Sequence, residues 1–178
     1  ALARATLEID VAAGAAAAAA GLSASLPFED ELLTRRQLRD LERARDGRTP
    51  LPDAMGEWAQ TLVSEEANRD HNVRTLRDAD VTLLVGSDSP NMGIPAGAGL
   101  HMELAHLLDA GLERSQILRA VTWDNSRFLD PDARFGAIRP GWEADLLLVD
   151  GDPEVDLMAL QRIVGVWTDG RRVERNER

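Results

Sequence analysis

Apolar residues recur at helical spacing along most of the chain and give way to strand-like runs beyond residue 130. Residues 2–10 form a candidate strand from Thr6, Leu7 and Ile9. Residues 30–46 read as a polar, charge-laced helix carrying Leu33, Leu38 and Leu41 and stopped by Gly47. After the Thr49-Pro50-Leu51-Pro52 break, Met55, Trp58, Ala59 and Leu62 fall at i, i+3, i+4 and i+7, which predicts an amphipathic helix. Trp58 on that stripe reads as a packing residue, because aromatics at helical spacing usually pack. A further helix is predicted over 72–79, with Val73 and Leu76 inward.

Residues 81–85 change the pattern, since their apolar run predicts a strand buried on both faces, as in a parallel sheet. This run leads into Gly86-Ser87-Asp88-Ser89-Pro90, so it delivers one carboxylate into a Gly/Pro-rich loop. Chemistry collects where parallel strands end, which makes Asp88 a candidate catalytic residue. A turn or helix-capping Asp would suit the same residues. Leu100, Leu104, Leu107 and Leu108 then form a helical stripe ending at Gly111. Ser115 can N-cap a following helix with Ile117, Leu118 and Val121 on one face. Strands are predicted over 146–149 and 163–168, the latter pairing with 171–173 through Asp169-Gly170. Asp-Gly suits a hairpin whose two central residues need positive φ.

Composition narrows the classes of function. The chain has 178 residues, 31 acidic and 20 basic side chains, and a net charge of −11. Every cation is Arg, and no cluster of them forms the footprint of a nucleic-acid partner, so none is expected. No apolar run approaches the ~18 residues of a membrane span. Without cysteine, any transition metal would have to use histidine and carboxylate ligands. The Ala-rich tract over 11–25 fits a secretory signal loosely, through Arg4 and Ser23-Ala24-Ser25, but Glu8 and Asp10 oppose it. A small-residue segment packed inside a larger barrel is the preferred reading, and a cytoplasmic location is expected unless a signal lies upstream. Ser87 and Ser89 do not form a nucleophile elbow, and Gly93, Gly97 and Gly99 fit neither phosphate-binding fingerprint.

Several ordered motifs follow the Asp88 loop. They are Ala120-Val121-Thr122-Trp123-Asp124-Asn125, then Phe135-Gly136-Ala137-Ile138-Arg139-Pro140-Gly141-Trp142-Glu143-Ala144-Asp145 before the strand Leu146-Leu147-Leu148-Val149. This order resembles the C-terminal part of the metal-dependent amidohydrolase superfamily, of the imidazolonepropionase-like and dipeptidase-like kind, over roughly residues 70–174. The resemblance implies an α/β fold: the C-terminal portion of a (β/α)8 TIM barrel, from about strand seven, over residues 1–130. Part of a small β-sandwich would follow over residues 131–178. It implies Asp88 as metal ligand and as the base that takes a proton from the attacking water and passes it to the leaving nitrogen. The intact protein would then hydrolyse an amide or cyclic amide C–N bond of a small-molecule substrate, using one or two divalent ions, zinc by preference. Thr122 and Asn125 resemble the family's T-x-N-A segment with one more residue between them and Ser126 in place of Ala, and take packing roles. Gly136, Gly141, Ala144 and Asp145 match the entry to the β domain, where Asp145 would satisfy backbone donors.

The departures carry as much weight. There is no His-x-His and no Lys; the histidines are His71, His101 and His106. One carboxylate does not hold zinc, because catalytic sites use three protein ligands and water. The expectation is therefore a chain that is inactive alone and lacks the N-terminal part holding most metal ligands. His101 and Glu103 diverge by about 200° on a helix and do not make a local site. His101, near the Asp88 loop in sequence, is the candidate substrate contact, and His71 and His106 are structural. The competing readings are a non-catalytic remnant that binds or oligomerises and, more remotely, a secreted helical binding protein. An incomplete barrel with open strand edges would also favour a homo-oligomer.

Overall fold

The computed structural model describes residues 66–87 and 97–174, with the isolated helical positions Arg35 and Arg39. The elements expected over 2–10 and 55–62, most of 30–46, and Asp88 itself lie outside the described residues. The chain divides into two compact units, Ala1–Val73 with Gly86–Glu103, and Arg74–Val85 with Leu104–Arg178.

In the first unit lie the opening turns of α1 (Glu66–Asp78) and of α2 (Ala98–Asp109). Its buried residues include Val73, Ala98 and Glu103. The second unit contains the last turns of both helices, then α3 (Arg114–Arg119), a π turn (Ala120–Asp124) and α4 (Asn125–Leu129). Its apolar core is Val85, Leu104, Leu107, Leu112, Ile117 and Ala120, with Ala133, Leu157 and Ala159 contributed from later in the chain.

Both long helices close on the same device. At the end of α2, Leu112 N–H donates to the Leu107 carbonyl (3.1 Å) and Gly111 N–H to that of Leu108 (2.9 Å). These 6→1 and 5→2 bonds are a Schellman motif. At the end of α1, Val81 N–H donates to Leu76 (3.0 Å) and Asp80 N–H to Arg77 (2.9 Å), with Asp80 at φ 54°. Asp is among the few non-Gly residues that enter this region readily. Arg74 and Arg77 then donate to the carbonyls of Ala110 and Gly111, placing cations where the end of α2 is negative.

Two expectations are corrected. Ser115 is not the N-cap of α3: Glu113 is, and its N–H donates to Gln116 Oε1 (2.9 Å) in a capping-box arrangement that leaves Ser115 inside the helix. Residues 81–85 form no regular element and pair with no strand among the described residues, and only Val85 is buried, with Leu84 42% exposed. A parallel strand is buried on both faces when helices cover both sides of its sheet, and among the described residues 81–85 join no sheet.

The β part is an antiparallel sheet in the order β1 (Leu146–Val149), β2 (Ile163–Thr168), β3 (Arg171–Arg172). Leu146 faces Trp167 and Leu148 faces Gly165, before an irregularity brings Val149 opposite Ile163. The expected hairpin forms: Asp169 at φ 50° and Gly170 at φ 73° are both left-handed, as a type I′ turn requires. Asp145 Oδ1 accepts the Asp169 N–H (2.7 Å), which is the backbone-satisfying role expected of that residue. Before β2, Asp156 caps a 3-10 turn (Leu157–Gln161), and the Met158 N–H, ahead of Arg162, holds its carboxyl below the usual range.

Leu147, Leu148, Ile163 and Val164 alternate across the sheet, yet all are exposed. An antiparallel sheet with apolar residues on both faces favours association. The isolated 178-residue chain is therefore expected to sediment as a homo-oligomer or aggregate at low micromolar concentration, despite its charge of −11. A single monomeric boundary in sedimentation velocity would show that these faces are tolerated in water.

Candidate functional site

The 81–85 segment ends at Val85, and a backbone there without a strand partner must find other hydrogen bonds. Asn125 supplies both. Val85 N–H donates to Asn125 Oδ1 (3.0 Å), and Asn125 Nδ2 donates back to the Val85 carbonyl (2.7 Å). The side-chain amide thus stands in for the peptide group of a neighbouring strand.

A π turn brings Asn125 to that position. Its N–H bonds to the Ala120 carbonyl, five residues back. In a regular helix Asn125 would lie about 80° round from the buried Ile117; the extra residue takes back about 100° and returns it to the same side. Side chains brace the turn. Thr122 Oγ1 donates to the Leu118 carbonyl (2.6 Å), and the buried Ser126 donates from Oγ to the Trp123 carbonyl (2.7 Å). Gly136, at φ 85°, packs so closely that a Cβ would stand 2.5 Å from Ser126 Oγ and 2.8 Å from the Thr122 carbonyl. Packing was the role expected of the Thr122–Asn125 segment; the clamp on Val85 was not foreseen.

Arg127 fastens the following loop, donating to the carbonyls of Pro131 (2.8 Å) and Ala133. Its guanidinium also lies 4.7 Å from the Trp123 ring, which stacks on Trp142 at 6.0 Å and 11°. Arg139 sits 5.0 and 4.9 Å from the same two rings. Each such contact contributes about 0.5–1 kcal/mol when partly exposed. Trp123 and Arg127 share an i,i+4 spacing readable in the sequence, whereas the partnership with Trp142 carries no local signal.

His101 lies on α2 in the first unit, half-buried, and loss of hydration pushes its pKa below the ordinary 6.5. A neutral imidazole both donates and accepts hydrogen bonds. His71 is exposed and His106 half-buried. Among the described residues, no three His, Asp or Glu side chains form a group able to hold a metal ion. A shallow cleft in the second unit is lined by Asp80, Thr82, Gln116 and the Arg119–Asp124 ion pair (3.3 Å). It flanks the beginning of the 81–85 segment rather than its Val85 end. No described helix is long and apolar enough to cross a membrane.

The model of the Amidohydrolase family matches residues 10–173. The chain belongs to that family. No curated protein matches this amidohydrolase chain significantly. Similar solved structures include a prolidase candidate from Bifidobacterium longum, at 24% identity and TM-score 0.63, covering 91% of this chain and 34% of that one. A Xaa-Pro dipeptidase with methionine bound in its active site has 20% identity and TM-score 0.62, covering 74% and 32%. The ochratoxinase of A. niger has 21% identity and TM-score 0.55, covering 77% and 30%. The amidohydrolase chain thus spans about a third of the length of these structures, and the likeness is one of fold, that of a TIM-barrel family.

Two outcomes follow from this geometry. Gly136→Ala introduces a clash and a strained φ together, so it should destabilise the protein by about 1–3 kcal/mol, read as a lowered Tm. An unchanged Tm would mean that the loop moves away freely. His101 should titrate below 6.5 by NMR. As pH falls, the unfolded chain binds this proton first, so stability is full above about pH 6.5 and declines toward the folded midpoint. His101→Gln should remove that decline, and a His101 midpoint at or above 6.5 would show the ring to be well hydrated.

Proposed function

We propose that this chain is the C-terminal portion of a hydrolase that cleaves a C–N bond of a small molecule, an amide, cyclic amide or dipeptide. The observation that carries the reading is the family match over residues 10–173, within which the apolar run 81–85 ends three residues before Asp88. Residues 1–130 would belong to the barrel and 131–178 to a small β-sandwich, whose exposed apolar sheet faces await further strands. A chain about a third as long as the similar structures supports the view that most of the site lies in preceding sequence, and that these residues alone are inactive.

Asp88 takes the proton of the attacking water and returns it to the nitrogen as the C–N bond breaks, so one carboxylate acts as base and then as acid. His101, held neutral by its half-buried setting, can contact a polar group of the substrate. The family relationship makes a divalent metal, zinc by preference, part of the proposal, with Asp88 among its ligands. The described residues do not by themselves fit such an ion.

The test is Asp88→Asn in the complete protein, assayed against dipeptides, acyl amides and cyclic amides. This change keeps shape and polarity while removing the base, so kcat should fall by at least ~10²-fold. The Tm should stay close to that of the parent. Retention of near-normal kcat would make Asp88 a turn residue and favour a non-catalytic binding or oligomerisation module.

A further inference from the structure

We propose that Asp150-Gly151 is a site of spontaneous isoaspartate formation, activated by Arg162, and that the chemically identical pair Asp169-Gly170 is protected by its turn. In any Asp-Gly pair the glycine amide nitrogen can attack the aspartyl Cγ. The N–Cγ bond forms, a Cγ–O bond breaks, and that oxygen leaves as water with the amide proton. Water then opens the cyclic imide. Attack at Cγ restores aspartate, whereas attack at the main-chain carbonyl leaves the chain running through the side-chain carbon. Neither glycine has a Cβ to hinder approach, so the two pairs start with the same intrinsic reactivity. The setting of each peptide group separates them.

At residues 169 and 170 the nucleophile is occupied. The Gly170 N–H donates to the Ala144 carbonyl (3.1 Å), and the Asp169 N–H to Asp145 Oδ1 (2.7 Å). Both residues are also fixed in the left-handed turn that joins β2 to β3. At residues 150 and 151 the opposite holds. The Gly151 N–H donates to no group among the described residues, while the carbonyl of the same peptide, that of Asp150, accepts from Arg162 Nε at 2.7 Å. Amide nitrogen and oxygen are conjugated, so charge left on the nitrogen when it gives up its proton is carried largely by that oxygen. A guanidinium already aimed at the oxygen stabilises the charge as it develops, as an oxyanion-hole donor does. Arg162 is held there by its Nη2 contact with Asp156 Oδ2 (3.1 Å), and a Cβ on Gly151 would stand 2.7 Å from the same Nη2. The Asp150 N–H donates in turn to the Arg162 carbonyl (2.8 Å), tying the two residues together. Asp150 is exposed, which leaves its carboxyl room to turn onto the nitrogen. The same Arg162 donor polarises the carbonyl that water attacks to give isoaspartate, and so favours opening in that direction.

The test is prolonged incubation of the complete protein at physiological temperature and pH, followed by peptide mapping with electron-transfer fragmentation, which distinguishes isoaspartate from aspartate at each pair. Isoaspartate is expected to accumulate at residue 150 at least about fivefold faster than at residue 169, the worth of the one hydrogen bond that only Gly170 must break. In the urea-unfolded protein the two rates should converge, because both settings are lost. Arg162→Gln should slow conversion at residue 150 by roughly 10-fold and leave residue 169 unchanged. If Arg162 only restrained the loop, removing it would quicken residue 150, so a faster Arg162→Gln variant overturns the activating role. Equal rates at the two pairs in the folded parent, or faster conversion at residue 169, would overturn the assignment of the site whether or not the variant folds.

Discussion

The pairing of the Val85 peptide with the Asn125 amide is the contact around which the described part of the second unit is arranged. Val85, buried at the end of an apolar run, brings a backbone donor and acceptor into the core, and these must be satisfied. In a complete parallel sheet the adjoining strands do this. At Val85 a side chain does it, at 3.0 and 2.7 Å, and the helix supplying that side chain is distorted to reach. The π turn, the Thr122 and Ser126 hydroxyls turned onto helix carbonyls, and the glycine pressed against them surround that amide.

Arginine does much of the remaining fastening, in a chain whose acidic residues outnumber its basic ones. Arg74 and Arg77 satisfy the carbonyls at the end of α2, Arg127 those of residues 131–135, and Arg162 that of Asp150. A planar guanidinium with several donors can bind two carbonyls and still lie against an aromatic ring, as Arg127 does against Trp123. Such contacts hold turns and helix ends, and those of Arg74 and Arg77 reach carbonyls 36 and 34 residues along the chain.

β1 and β2 carry exposed apolar side chains, and residues 81–85 pair with no strand among the described residues. The chain belongs to the amidohydrolase family and spans about a third of the length of the similar structures.

Much of the fold was legible because its determinants are local. The leucine stripe and Gly111 announced α2 and its end, Asp169-Gly170 announced the hairpin, and the motif order from Thr122 to Asp145 announced the family. Asp88 stands as a candidate for a local reason too, a carboxylate at the end of an apolar run, and it lies outside the described residues. Ser115 misled because Ser is a good cap wherever it stands, while Glu113 and Gln116 formed a better one two residues earlier. The π turn, the Asn125 clamp 40 residues from its target and the Trp123–Trp142 stack had no local signature. Each depends on which surfaces meet once the helices pack, and a sequence period of 3.6 carries no information about a turn that departs from it. Propensity and spacing decided which elements form, and tertiary contact alone decided which backbone groups they satisfy.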